Sequence, residues 1–206
     1  MTRILLLHGW AGSAQDWKEV QANLPDDLDT ECPDAGYFGQ QNPWSGHRPD
    51  LIVGYSLGCL DALDHPDLGG IPWMAVNGFT RFCAGTEFPE GIPARILQRM
   101  QKRLDEDAET TVTTFLSSIE AFRFPDDSVT YNHEALSAGL TRLLEADRRP
   151  VQPVLALAGD RDPLVSVAHS RACFGDSTVI IQEGGHRLLH SHPHIVANAI
   201  IRIIRS

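Results

Sequence analysis

The chain has 206 residues, 42% of them apolar and 21% charged, which is the composition of one ordinary globular domain and argues against disorder. Seventeen basic against 27 acidic residues give a net charge of −10, which speaks against nucleic-acid and anionic-membrane partners, since both require a basic footprint. No apolar run approaches the roughly 18 residues of a membrane span, Ile4 to Leu7 is too short for a signal peptide, and the scattered Cys32, Cys59, Cys83 and Cys173 have no zinc or redox spacing, so a soluble, cytoplasmic protein is expected.

The first predicted element is Arg3 to Leu7, an unbroken apolar run ended by His8-Gly9. Such a run reads as a strand buried on both faces of a parallel sheet. Gln15 to Leu24 sets Trp17, Val20 and Leu24 on one helical face, and Pro25 ends it. A short strand over Leu28 to Glu31 precedes a loop rich in Gly, Pro and Asn from Pro33 to Pro49. Asp50 to Gly54 is a second buried strand, running straight into Tyr55-Ser56-Leu57-Gly58 and a helix carrying Leu60, Ala62 and Leu63. Pro72 to Asn77 reads as a further strand. From Thr80 the pattern changes: Ile92 to Leu104 and Ala108 to Phe122 read as consecutive helices with no strand between them, and His133 to Glu145 as a third. Strands resume at Val151 to Ala158 and Thr178 to Gln182, and a last helix runs from His194 to Ile203 with Ile195, Ala199, Ile200 and Ile203 on its apolar face. Alternating strands and helices predict an α/β fold, a mostly parallel sheet flanked by helices. The stretch of about 80–132 is expected to be a helical lid inserted into one domain that spans 1–206.

Four loops carry chemistry. Gly54-Tyr55-Ser56-Leu57-Gly58 matches G-x-S-x-G where a strand meets a helix, a turn tight enough to need its glycines and to lift the serine hydroxyl above the sheet edge. A glycine-rich turn with a buried serine would match the same five residues. A serine nucleophile needs a base and a group that orients the base, in the chain order Ser, Asp or Glu, His. Asp160 and Asp162 both follow the strand ending at Ala158; Asp162 is preferred, with Asp160 as a turn or capping residue. His186 follows the last strand on a glycine-rich loop, where the base belongs. The nearby His190, His192 and His194 invite a metal reading, but Pro193 and the missing zinc-site context speak against it, and no metal is assigned. After the first strand, His8-Gly9-Trp10 supplies a second turn. By this geometry the Trp10 and Leu57 amides would bind an oxyanion.

Together these loops resemble the α/β-hydrolase superfamily. Within it the closest resemblance is to the pimeloyl-[acyl-carrier protein] methyl ester esterases of biotin synthesis. It rests on His8-Gly9-Trp10 with Trp17, on the Ser56 turn, on Asp162 with Leu164-Val165, and on His186 with Ser191-His192-Pro193. The more specific part is the stretch from Arg81-Phe82-Cys83 through Phe88-Pro89, Ile92-Pro93, Leu104, Asp105 and Thr111 to Phe115-Leu116. The resemblance implies Ser56 as nucleophile, His186 as base and Asp162 as its orienter. It also implies that Trp10 and Leu57 line the oxyanion and acyl site, that Phe115 touches the acyl chain, that an acyl-carrier protein presents the substrate, and that no cofactor takes part. Two departures stand out. The segment between Gly9 and Ser56 is short enough to have lost a helix, and Thr110 and Thr114 occupy the region where the family's carrier-binding arginines are expected. Arg95, Arg99, Lys102 and Arg103 share one face of the first inserted helix and read either as a substitute docking stripe for the acidic carrier or as a solvated face. Trp10 and Phe115 are the aromatic residues assigned to the acyl pocket; Phe79, Phe82 and Phe122 read more readily as core. The alternatives are a broad small-ester or thioester carboxylesterase, and a hydrolase-fold binding protein with vestigial activity.

Overall fold

The structure is a computed structural model, and it describes residues 2–121 and 129–206. Six parallel strands form one sheet: β1 (Thr2–Leu7), β2 (Leu28–Glu31), β3 (Leu51–Tyr55), β4 (Trp73–Val76), β5 (Leu155–Gly159) and β6 (Thr178–Ile181), in the order β2-β1-β3-β4-β5-β6. Leu6 pairs with Val53, Val53 with Met74, and Leu157 with Val179. The chain moves outward from β1 to β2, then returns to the other side of β1 as β3. That reversal opens a crevice beyond the carboxyl ends of β1 and β3, the place where open α/β sheets bind their ligands.

The sheet is buried on both faces because its strands are apolar at successive positions. Ile4, Leu6, Leu51, Val53, Met74 and Val76 point to one face, under Trp17, Val20, Leu188, Leu189 and the helix α8 (Pro193–Ile204). Leu5, Ile52, Ala75 and Ala156 point to the other, against α2 (Gly58–Asp64), Phe79 and Phe174. This period-two split of a continuous apolar run produces the two cores.

Several boundaries differ from the sequence reading. The helix expected over Gln15 to Leu24 is a 3₁₀ turn at Ala14–Trp17 followed by α1 (Lys18–Gln21). It closes on i→i−3 bonds from Asn23 and Leu24. β5 begins at Leu155, not Val151, because Pro153 has no N–H for the ladder; Val151 and Val154 are exposed. In α8 the buried stripe is Val196, Ala197 and Ile200, and Ile195, Ala199 and Ile203 are only partly covered. A helix that the sequence reading passed over, α6 (Val167–Phe174), is capped by the Ser166 side chain accepting from the His169 amide.

Between β4 and β5 the chain inserts α3 (Ala94–Glu106), α4 (Ala108–Ser118) and α5 (His133–Glu145), with α3 packed on both of the others. α4 stops at Ser118, four residues before the expected Phe122, and two residues further on Glu120 takes a left-handed φ of +55; Phe122 itself lies outside the described residues. Between β2 and β3 there is no helix among the described residues. None of the described helices is long and apolar enough to cross a membrane.

Candidate active site

Ser56 sits between β3 and α2 with φ at +53, a left-handed conformation that an L-residue adopts only when its surroundings force it. Its amide donates to the Val76 carbonyl at 3.1 Å, which ties the turn to the neighbouring strand. The flanking glycines are required by contact. A Cβ at Gly54 would lie 2.7 Å from the Cys59 backbone, and one at Gly58 would overlap the Leu7 carbonyl oxygen. The G-x-S-x-G spacing is therefore a packing solution: β3, β1 and α2 meet too closely at Gly54 and Gly58 for a side chain at either position.

His186 and Asp162 reach Ser56 from the ends of β6 and β5. His186 Nε2 is 3.2 Å from Ser56 Oγ, and His186 Nδ1 is 2.8 Å from Asp162 Oδ2. The remaining Asp162 oxygen accepts the Leu164 and Val165 amides at 2.8 and 2.9 Å. These bonds hold the carboxylate with one oxygen free for the ring. The Asp162 side chain is wholly buried, whereas Asp160 is exposed and does not meet His186. The carboxylate fixes the proton on Nδ1, so Nε2 carries the lone pair that faces the serine hydroxyl.

Asn77 is the residue the sequence reading missed. It was read only as the end of a strand, yet it is fully buried, with φ at +43. Its Nδ2 donates to the carbonyls of Gly185 and His186 at 2.9 and 2.6 Å, and its Oδ1 accepts the Gly159 amide at 2.8 Å. One amide thus joins the end of β4 to the loops carrying Asp162 and His186. The available signal was an asparagine followed by glycine directly after a buried strand, a residue that tolerates the left-handed region.

The loop after β1 is braced by His8. Its Nε2 accepts the Ala35 amide at 3.0 Å, and its Nδ1 donates to the Gly9 carbonyl at 2.8 Å. Neither the Trp10 nor the Leu57 amide has a backbone carbonyl partner among the described residues. The Leu57 side chain is part of the core. Trp10 is anchored by Nε1 donating to the Leu136 carbonyl on α5 at 2.8 Å, and packs edge-on against Phe115 of α4, 4.8 Å between ring centroids.

The cleft over Ser56, roofed by Phe115, Leu116 and Ile119, is nearly closed, and Ser56 is 8% exposed. On the far side of the Trp10–Phe115 pair lies an apolar cavity of about 420 Å³ within the insertion, lined by Phe82, Ile96, Met100, Thr114 and Leu164 among others. Phe82 therefore faces this cavity, while Phe79 lies in the core. Arg95, Arg99, Lys102 and Arg103 are all exposed on α3, and Arg103 reaches the cavity rim. The acidic residues just downstream are drawn elsewhere: Asp105 lies 3.0 Å from His133, and Asp107 caps α4 through the Thr110 amide at 2.9 Å.

Known proteins share this plan. A pimeloyl-[acyl-carrier protein] methyl ester esterase of Pectobacterium carotovorum is 28% identical over 243 aligned positions, covering 97% of this chain and 93% of that protein. A namesake from Edwardsiella ictaluri is 29% identical over 75% of this chain and 70% of its own length. The first alignment is longer than this chain's 206 residues, so that relative carries segments absent here. Among solved structures, an esterase from Exiguobacterium antarcticum superposes with a TM-score of 0.78 at 14% identity, over all of this chain and 92% of its own. BioG from Haemophilus influenzae superposes with a TM-score of 0.68 at 19% identity, over 95% and 94%. A model of the alpha/beta hydrolase family matches residues 4–199, from within β1 to within α8, and so takes in the whole sheet and every loop of the cleft. The chain belongs to the alpha/beta hydrolase family.

Proposed function

We propose that this hydrolase is a serine esterase that removes the methyl group from a pimeloyl methyl ester carried on acyl-carrier protein. The observation that carries the catalytic part is the unbroken line Asp162–His186–Ser56, at 2.8 and 3.2 Å. Ser56 Oγ attacks the ester carbonyl carbon while His186 Nε2 takes the hydroxyl proton, and Asp162 steadies the imidazolium that forms. The carbonyl oxygen becomes an oxyanion held by the Trp10 and Leu57 amides, each donor contributing about 10²–10³ in rate. The C–O bond to the methoxy group then breaks, and His186 returns its proton to make methanol. Water attacks the acyl-enzyme with His186 again as base, releasing the carboxylic acid and Ser56. The cycle uses side chains and amides of this chain and calls on no cofactor.

The substrate part of the reading is supported by the names of the relatives and by the insertion. α3 and α4 act as a lid, and the 420 Å³ cavity beneath them takes the acyl chain, with Phe115 between that cavity and the nucleophile. Arg95, Arg99, Lys102 and Arg103, which form no ion pair among the described residues, attract the acidic carrier within about 10 Å at ordinary ionic strength. KM for the carrier-bound ester is expected to rise steeply between about 50 and about 500 mM salt; a flat profile removes the stripe from the docking site.

Mass spectrometry of methyl-pimeloyl acyl-carrier protein, beside p-nitrophenyl acetate and with Ser56→Ala as control, tests the whole reading. Conversion of the carrier-bound ester far ahead of the free one is expected. Hydrolysis of the free ester alone makes the protein a general carboxylesterase. Activity surviving in Ser56→Ala overturns the nucleophile.

A further inference from the structure

Arg187 follows the base directly, and the catalytic sequence above makes no use of it. Its side chain is only 11% exposed, and its Nε is buried with no hydrogen-bond partner. Among the described residues its guanidinium donates no hydrogen bond at all. Asp16 is the nearest carboxylate, at 3.6 Å, too far for a hydrogen bond. Asp16 is itself engaged: one oxygen accepts the Ser13 amide at 3.1 Å, and the other faces His190 Nε2 at 3.4 Å. Asp16 thus offsets the charge of the guanidinium without occupying its N–H groups.

Arg187 also lines two spaces at once. One is the cleft over Ser56. The other is a cavity of about 230 Å³ that shares Ala11, Gly12, Asp16 and Leu116 with the cleft. That second cavity lies away from the Trp10–Phe115 pair and is lined by Arg187, His190 and Asp16, so the cleft over Ser56 is flanked by one apolar space and one with charged side chains in its wall. A planar fork of donors matches a carboxylate, which accepts two of them in parallel.

We propose that Arg187 forms a carboxylate subsite beside Ser56, so that free half-esters of short dicarboxylic acids, with a methyl ester at one end and a carboxylate at the other, are a second substrate class of this enzyme. The proposal rests on Ser56 being the nucleophile but not on the carrier protein.

Monomethyl succinate, glutarate, adipate and pimelate, each paired with its dimethyl ester, read the subsite through kcat/KM. At least one half-ester is expected to exceed its diester by about ten- to a hundredfold, the range for a hydrogen-bonded charged contact. Arg187→Met should bring that ratio close to one, and Arg187→Lys should restore part of it. Half-esters no better than diesters throughout, or a preference that persists in Arg187→Met, overturn the subsite. Calorimetry of the half-esters with Ser56→Ala reads the same contact without turnover. Binding there that disappears when Arg187→Met is added supports the proposal, and equal binding in both proteins, or none in either, overturns it. Failure of the serine-esterase reading looks different: neither ester class is hydrolysed, whatever the calorimetry returns.

Discussion

At Ser56 and Asn77 two non-glycine residues hold left-handed backbone within the same small volume, φ +53 and +43. Such conformations persist only where surrounding bonds outweigh a strain on the order of 1–3 kcal/mol each. For Ser56 the restraint is the pinch between β1, β3 and α2. For Asn77 it is a set of side-chain bonds that join Gly159, Gly185 and His186. Asn77 touches no reacting atom, so it is a positioning residue. Asn77→Asp retains the size but sets carboxylate oxygens against two carbonyls, and the His186 loop must shift. A displacement near 1 Å at a reacting group costs on the order of a hundredfold in rate. kcat of Asn77→Asp should therefore fall by roughly that factor with KM changed far less, measured on a soluble ester. A fall shared equally between kcat and KM, or none, removes Asn77 from this role.

Among the elements, α6 carries the most testable charge. His169 lies in it fully buried among Phe79, Phe82 and Phe88, with Nε2 2.8 Å from the Arg81 carbonyl. Burial pulls its pKa below the usual 6.5, against the raising effects of the Arg81 carbonyl, Asp162 and Glu90. The folded ring thus refuses a proton that the unfolded chain accepts. Its contribution to stability is complete above pH 6.5 and is lost as pH falls below that value toward the folded pKa. Thermal melts from about pH 7.5 to about pH 5.5 should show wild type losing more Tm than His169→Gln, which has no proton to gain. Parallel slopes would show that the ring is not kept neutral by the fold. The same ring packs beneath the entry to the insertion, where Arg81 also pairs with Asp147 at 2.7 Å. Acid loosening should therefore begin at the base of the proposed lid.

On the scale of the whole molecule, the features that matter are enclosure and separation. Ser56 is nearly closed off, and the apolar cavity stands behind the Trp10–Phe115 pair. A long acyl chain reaches Ser56 only if α4 moves or Phe115 rotates, the kind of motion that gates many enclosed sites. Phe115→Ala joins the two spaces. Its Ser56 should react severalfold faster than wild type with a bulky fluorophosphonate and at a similar rate with a small one. Equal acceleration by both probes would mean that the pair is not the barrier. Together, the cavity, the pair and Arg187 place three chemically different surfaces around one serine, which is how a common fold acquires a particular substrate.

Sequence alone determined what depends on neighbours along the chain. The apolar runs at Arg3 to Leu7 and Asp50 to Gly54 specify buried parallel strands because both faces must be covered. Gly54-Tyr55-Ser56-Leu57-Gly58 specifies its turn in part, because Gly54 answers the local demand of the Cys59 backbone, whereas Gly58 answers the remote Leu7 carbonyl. The short span before Ser56 likewise announced the helix missing between β2 and β3. α6 was passed over because its eight residues carry little amphipathic pattern; its start rests on a single serine cap. What tertiary structure decided depends on residues remote in sequence. Asp162 rather than Asp160 meets His186 because β5 and β6 set their loops side by side and turn one carboxylate inward. Asn77 spans more than 80 positions to reach the loops it joins, and among the described residues the Arg187 guanidinium has no hydrogen-bond partner, its nearest carboxylate, Asp16, lying on a 3₁₀ turn far from it in the chain. Periodicity and turn chemistry are written in the order of residues, whereas the satisfaction of buried polar groups is fixed only when distant segments come together.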